Sequence, residues 1–366
     1  MSLSILIAAG GTGGHMVPAH ALSEELLRRG HRVALLTDER GLRFPGLFER
    51  VERHVLPSAT ARGMNPVAWA KALWTIRRGR AEGRRIAKEA GAEAVVGFGG
   101  YPSLPGMLAG MSLRLAVVLH EQNAVLGRVN RRLQGRVSAI ALSYADTQGL
   151  DPDLQNKTHM VGNPVREAIL AARDAGFAAP ANGEKLRLLV VGGSQGARIL
   201  SQLVPAAIAG LPADQRARLA VVQQCREEDL SAVVEAYRAA DVTAECLPYM
   251  ADLPQRLAAA HLVIARAGAS TMAELTAMGR PALLIPYAAA ADDHQAANAR
   301  AFVEAGAGAL LLEAEANPAK LRGMITGFLE SPEALTAAAD AARNLGHPDA
   351  AARLADLVEK EVRNAL

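Results

Sequence analysis

The chain predicts an α/β protein made of two doubly wound domains in tandem, and three observations predict it. Short, wholly apolar runs recur along the sequence and stop at glycines, as buried parallel strands do. Helix-length segments separate those runs, which is the alternation of a parallel sheet with crossover helices. The series lapses once, in a polar stretch at 151–157, and then restarts with the same strand, glycine-rich turn and helix.

Residues 3–9 read as the first strand, followed by a helix over 19–29 and a second strand over 32–37. Strands at 94–97, 115–119 and 139–143 complete the first half. The second half opens with a strand over 186–191 and continues with strands at 220–223, 262–265, 282–285 and 309–312. The boundary falls near Gly162-Asn163-Pro164, and a final helical stretch, 350–365, crosses back to the first domain. The length of 366 residues fits two domains of about 150 residues each. Scarce aromatics and abundant alanine and glycine predict helices lying close on their sheets.

Composition excludes several classes. A net charge of +3 is too small to imply nucleic acid by itself. Cys225 and Cys246 form no CxxC pair, so neither a disulfide framework nor a zinc site is expected, and a reducing cytoplasm fits. The N-terminus lacks a basic leader and reaches glycine too soon for a signal peptide. No run approaches the ~18 apolar residues of a spanning helix, so any membrane contact is peripheral.

The chemistry gathers at strand ends. Gly10-Gly11-Thr12-Gly13-Gly14-His15 follows the first strand; glycines there admit a ligand to the backbone, and a helix N-terminus beyond favours negative charge. A dinucleotide fingerprint is the rival, broken at Met16 but supported by Asp38 after the second strand. His15 reads either as a general base near neutral pH or as a hydrogen-bonding loop residue. Gly97-Phe98-Gly99-Gly100-Tyr101-Pro102-Ser103 forms a second glycine turn. His120-Glu121-Gln122-Asn123 places four polar side chains at a strand end, aimed at the crevice to bind sugar hydroxyls or else capping a loop.

In the second half, Gly192-Gly193-Ser194-Gln195-Gly196-Ala197 offers amides and a hydroxyl to a diphosphate. Gly268-Ala269-Ser270-Thr271-Met272-Ala273-Glu274 predicts a helix starting near Ser270 whose free N–H groups meet a phosphate. Glu274 then accepts from ribose hydroxyls, or is an ordinary first-turn acid. His294-Gln295 and Asn298 place Gln295 and Asn298 on one helical face. Asp151-Pro152-Asp153 and Asp292-Asp293 read as solvated loop acids without further metal ligands. Between Arg62 and Lys88, eight basic residues stand against one acid, Glu82, a local charge of +7 interleaved with Trp69, Leu73, Trp74 and Ile76. That pattern suits an anionic membrane surface or a packed helix with a solvated basic face. No stacking platform accompanies it for nucleic acid.

Taken together, these strings and Gly162-Asn163-Pro164-Val165-Arg166 resemble the MurG family, the N-acetylglucosaminyltransferases of peptidoglycan synthesis, in family order over nearly the whole chain. The resemblance implies the GT-B fold, two Rossmann-like domains separated by a deep cleft. It assigns 1–163 to the acceptor and the membrane, 164–345 to UDP-GlcNAc, and 346–366 to a helix packing back on the first domain. It implies inverting transfer of GlcNAc from UDP-GlcNAc to the muramyl 4-hydroxyl of lipid I, giving lipid II. Thr12, Gly13 and Gly14 then approach the donor diphosphate or sugar, Asn123 and Gln295 hold the GlcNAc, and Arg166 and Ser194 lie by the diphosphate. The Met250 backbone reads uracil, and Ala269, Ser270, Thr271, Met272, Ala273 and Glu274 hold phosphate and ribose. His15 is the candidate base, with Glu121 as its competitor. No cofactor or metal is expected. The expected partners are UDP-GlcNAc, lipid I, an anionic surface on the cytoplasmic face of the inner membrane, and other cell-wall synthesis or division proteins. One departure is visible: the family's second turn reads GGYxSGP, and Leu104 replaces its last glycine here.

Overall fold

The structure is a computed structural model, and it describes residues 2–365 except 45, 61–64, 182, 194 and 195. The chain divides into two compact units, Met1–Arg166 with His347–Leu366, and Glu167–Gly346.

The first unit runs β1 (Ser4–Ala8), α1 (Gly13–Arg28), β2 (Arg32–Thr37), β3 (Glu52–Val55), α2 (Pro66–Glu89), β4 (Ala94–Gly97), α3 (Gly100–Ser112), β5 (Ala116–Glu121), α4 (Arg128–Leu133), β6 (Ala139–Leu142) and β7 (Thr158–Met160). Its seven strands are all parallel, in the order β3-β2-β1-β4-β5-β6-β7. The order reverses between β1 and β4, the switch point where open α/β sheets bind ligands.

Strand β1 lies between β2 and β4 in this sheet. All five of its residues are buried, and successive side chains point to opposite faces. Ile5 and Ile7 join the core that also contains Leu22 and Leu26 of α1; Leu6 and Ala8 join the core beneath α3. Burying each of these larger side chains contributes roughly 1.5–3 kcal/mol. The helices do lie close. A Cβ on Gly106 of α3 would stand 3.1 Å from the Ala8 Cβ, and one on Gly110 would stand 2.6 Å from Val95.

The second unit contains α5 (Glu167–Arg173), β8 (Leu186–Val191), α6 (Arg198–Ala209), α7 (Ala213–Ala217), β9 (Leu219–Gln224), α8 (Leu230–Ala239), β10 (Ala244–Leu247), α9 (Leu253–Ala259), β11 (Leu262–Ala265), α10 (Ala269–Met278), β12 (Ala282–Leu284), α11 (His294–Glu304), β13 (Gly308–Leu310), α12 (Pro318–Glu330) and α13 (Pro332–Leu345). Its six parallel strands follow the order β10-β9-β8-β11-β12-β13, which repeats the first unit's order strand for strand from β3 to β6. The last helix, α14 (Ala350–Ala365), belongs to the first unit, where Leu354, Ala355 and Val358 enter the core beside α1.

Three differences from the sequence reading have physical causes. Strands β3, β7 and β10 were not expected; each lies at a sheet edge and carries polar residues, so no apolar run marks it. Helix α1 begins at Gly13, six residues before the expected start, because the glycine turn supplies its first turn. The polar stretch at 151–157 contains a 3-10 turn, Pro152–Lys157, opened by the Asp151 side chain accepting from Asp153 N–H.

Candidate active site

In the first unit, three strand ends converge. Gly10 and Gly11 leave β1 in a turn that demands glycine. Gly11 has φ +82°, and a Cβ on Gly10 would lie 2.6 Å from that of Pro102. Gly13 and Gly14 differ: a Cβ there would meet the protein at an ordinary 3.7 Å. Among the described residues nothing crowds these two positions, which leaves room for a ligand to approach the backbone. Thr12 caps α1 without a side-chain bond to it, and the first turn carries no acid.

His15 extends from this turn. Its Nδ1 lies 3.3 Å from the Gly10 carbonyl oxygen, which only accepts, so in the neutral ring Nδ1 carries the hydrogen and Nε2 the lone pair. The ring rests on the second glycine turn. A Cβ on Gly100, which itself has φ +70°, would stand 3.0 Å from His15 Cε1. Leu104 does not distort that segment; it lies within regular helix α3, packed on the core, while Ser103 Oγ donates to the Gly100 carbonyl at 2.9 Å.

The four polar residues at the end of β5 were read as facing the crevice or capping a loop, and three of them turn inward. His120, Glu121 and Gln122 are 0%, 2% and 1% exposed. Gln122 Nε2 donates to His120 Nδ1 at 2.9 Å, so His120 Nε2–H donates to the Gly162 carbonyl, also at 2.9 Å. Burial holds the His120 pKa down to about 4, which keeps the ring neutral. Glu121 Oε1 accepts from Gln122 N, Asn123 N and Asn123 Nδ2; Oε2 accepts from Gly127 N and Asn130 Nδ2, each at 2.8 Å. Burial raises the Glu121 pKa, and these donors oppose the shift. The carboxylate is thus the hub of the 121–130 loop. Asn123 remains partly exposed. Asn130, buried on α4, was not anticipated; its amide nitrogen lies 3.1 Å from where a Gly99 Cβ would be, joining this loop to the second turn.

In the second unit, the first turn is tied by Gln224 at the end of β9, whose Oε1 accepts from Gly192 N at 3.1 Å and whose Nε2 donates to Gly193 O at 3.0 Å. Ser194 lies outside the described residues. Helix α10 starts at Ala269, one residue before the expected start, behind Gly268, which has ordinary φ −67° and open space where a Cβ would be. Among the described residues no side chain caps α10, no acid occupies its first turn, and the buried Ser270 hydroxyl meets no hydrogen-bond partner. Ser270, Thr271, Met272 and Ala273 follow on the opening turns, and Glu274 is buried beside them. A helix N-terminus of this kind, with a buried hydroxyl beside it, is chemically suited to an anion. Met250 is buried just beyond β10, and Arg166 ends the first unit.

Gln295 accepts through Oε1 from Tyr287 N at 3.0 Å, which presents its Nε2 as a donor. Asn298, fully buried, donates to the Ala267 carbonyl at 3.0 Å and ties α11 to the loop before α10. Arg266, also unanticipated, pairs with Glu313, donates to the Ile285 and Pro286 carbonyls, and lies 5.4 Å from the Tyr287 ring centroid. It joins the loops that follow β11 and β12. Among the described residues, no group of three His, Cys, Asp or Glu side chains is placed to hold a metal ion.

The N-terminal domain of glycosyltransferase family 28 matches residues 5–142, and its C-terminal domain matches residues 187–354. A protein of Erythrobacter litoralis is 50% identical over 354 residues, covering 97% of this chain and 89% of that protein. A Sphingopyxis alaskensis protein is 51% identical, covering 97% and 90%. Both are named UDP-N-acetylglucosamine–N-acetylmuramyl-(pentapeptide) pyrophosphoryl-undecaprenol N-acetylglucosamine transferase. A crystal structure of MurG from Acinetobacter baumannii superposes with a TM-score of 0.78 at 28% identity, covering 98% of this chain and 99% of that one.

Proposed function

We infer the function from a premise that the comparisons establish: this chain belongs to glycosyltransferase family 28 and, within it, to the MurG family. It has the GT-B fold. It is a UDP-GlcNAc-dependent N-acetylglucosaminyltransferase that acts on lipid I to form lipid II in peptidoglycan synthesis. Identity at half of the positions over 97% of the chain carries this conclusion. The test is transfer of radiolabelled GlcNAc from UDP-GlcNAc to a lipid I analogue; absence of a labelled disaccharide product overturns it.

For the mechanism we propose an inverting displacement. The muramyl 4-hydroxyl oxygen attacks the anomeric carbon, the bond from that carbon to the UDP oxygen breaks, and the hydroxyl proton passes to His15 Nε2. The tautomer imposed by the Gly10 carbonyl supports that role. Glu121, engaged by five donors, acts as a positioning residue for Asn123 rather than as the base. Charge developing on the leaving diphosphate is met by the α10 N-terminus, Ser194 and Arg166, and Thr12, Gly13 and Gly14 offer backbone to the donor sugar. Gln295 and Asn123 hold GlcNAc hydroxyls, the Met250 backbone reads uracil, and Glu274 accepts from the ribose. Product formation should therefore persist in excess chelator; loss of activity with rescue by magnesium or manganese would overturn this distribution of charge.

We further propose peripheral docking on an anionic membrane, at its cytoplasmic face, through α2. No helix among the described residues is long and apolar enough to cross a membrane. Trp69, Leu73 and Trp74 are exposed on α2, with the Arg78 guanidinium 4.7 Å from the Trp74 ring centroid. Arg62 lies outside the described residues. Arg85 is committed to Glu82 and Glu89, and Arg84 donates to Ser112, whereas Arg77, Arg78 and Arg80 are exposed. Each basic residue near an anionic surface contributes about 1 kcal/mol. Changing Arg77, Arg78 and Arg80 to Glu should weaken sedimentation with anionic vesicles while turnover of a soluble acceptor analogue survives. Wild-type protein that ignores such vesicles at low salt would point to a protein partner instead.

A further inference from the structure

A cation stands over the first glycine turn, and the mechanism above does not use it. Asp38, buried just after β2, spends its carboxylate on three donors. Oδ1 accepts from Gly11 N and Gly41 N, each at 3.1 Å, and Oδ2 accepts from Arg40 Nε at 2.7 Å. The turn, the loop after β2 and the arginine are therefore fastened through one buried carboxylate. The Arg40 guanidinium lies against Gly11: its Nη2 would be 3.4 Å, and its Cζ 3.8 Å, from a Cβ built there, with Pro102 Cγ also at 3.8 Å. Only Nε is engaged by Asp38, and the side chain is 61% exposed.

We infer that Arg40 is a substrate-binding residue that grips the pyrophosphoryl group of the acceptor. The inference rests on the functional reading above, in which the reaction brings two such groups together, one on the donor and one on the lipid-linked acceptor. The donor's group has its seat in the second unit, at α10. The acceptor's group needs donors of its own, and a guanidinium presents two further nitrogens in a planar fork that matches phosphate oxygens. Asp38 holds that fork by Nε before any ligand arrives, which reduces the ordering cost of binding. Glycine at position 11 leaves the floor beneath it bare, and the acid-free first turn of α1 adds partial positive charge alongside. The carboxylate cancels the arginine's charge at long range but leaves its outer N–H groups available.

The test is steady-state kinetics of wild type, Arg40→Gln and Arg40→Lys, with a lipid I analogue and with an acceptor whose pyrophosphoryl link is replaced by a neutral linker. The acceptor KM should rise about 10- to 100-fold in Arg40→Gln, with partial rescue in Arg40→Lys, while the UDP-GlcNAc KM and kcat hold. Wild type should prefer the pyrophosphoryl acceptor, and that preference should collapse in Arg40→Gln. Asp38→Asn, which keeps an acceptor for Gly11 N but loosens Arg40, should shift the acceptor KM in the same direction. Matching unfolding temperatures establish that the variants are folded. An unchanged acceptor KM, or a rise in the donor KM instead, would overturn the assignment. Wild type that transfers to neither acceptor would overturn the functional reading itself, a separate outcome.

Discussion

The two units repeat one strand order, and each ties its first glycine turn from the same topological place, yet the ties differ. In the first unit, Asp38 after β2 holds Gly11; in the second, Gln224 at the end of β9 holds Gly192 and Gly193. A carboxylate tie fastens Arg40 and surrounds the turn with oriented side chains, His15 among them. A neutral amide tie adds no charge near a turn proposed to face a diphosphate, whereas the Asp38 carboxylate is offset by the arginine it holds. The difference teaches that a duplicated scaffold carries two kinds of chemistry. In the first unit, side chains locked by hydrogen bonds suit proton transfer. In the second, a turn tied by a neutral amide and the N-terminus of α10 suit anion binding.

The hardest blow to that contrast comes from His15→Ala. It should lower kcat by at least about 10²-fold, the smaller end of general-base effects, with UDP-GlcNAc affinity by calorimetry nearly unchanged. A kcat within a few-fold of wild type, with chemistry rate-limiting, would remove proton transfer from the first unit's turn. The reciprocal change, Glu274→Ala, should weaken UDP-GlcNAc binding by about 1.5–3 kcal/mol, the value of hydrogen bonds to a charged group. Undiminished calorimetric affinity in a folded variant would break the assignment of ribose recognition to α10.

A smaller effect sharpens the picture of locked side chains. Glu121→Gln keeps the volume but exchanges acceptors for a donor amide that faces the N–H groups of Asn123 or Gly127. It should cost about 1–3 kcal/mol in denaturant unfolding and lower kcat. An undiminished unfolding free energy would mean that the loop does not depend on this hub.

The last test treats the units alike. Each holds a buried histidine, His120 or His261, with a pKa lowered to about 4; burial is the main cause in both, aided at His261 by Arg187. An unfolded histidine titrates near 6.5, so between about pH 6.5 and pH 4 the unfolded chain binds more protons than the folded one. Stability should be intact above about pH 6.5 and decline as pH falls through that window. His120→Gln, which can still accept and donate, should flatten part of the decline in thermal melts at stepped pH. A wild-type melting temperature that is level from pH 6.5 to pH 4 would contradict both burial assignments.

Much of the fold was legible because buried parallel strands need apolar side chains on both faces. That requirement writes continuous runs such as Ser4–Ala8 and Leu186–Val191 into the chain. The edge strands escaped because one side of each lacks a neighbouring strand and polar residues are tolerated there, as in Glu52–Val55. The glycine strings marked the turns, and their place after strands put them at the C-terminal ends of the sheets, where open α/β sheets bind ligands.

Local sequence therefore determined the α/β alternation, the glycine turns and the candidate motifs, since periodicity and backbone permissiveness are properties of neighbouring residues. Only the tertiary structure decided how those motifs divide their labour. His120, Glu121 and Gln122 face inward because their partners are Gly162, Gly127 and Asn130. Asp38 is a tether because the turn it holds lies 27 residues away in the chain. Gly10 and Gly13 look alike in sequence, yet one is required by Pro102 and the other leaves space. A hydrogen bond or a steric limit depends on which distant atom arrives at 3 Å, and the packing of whole elements settles that.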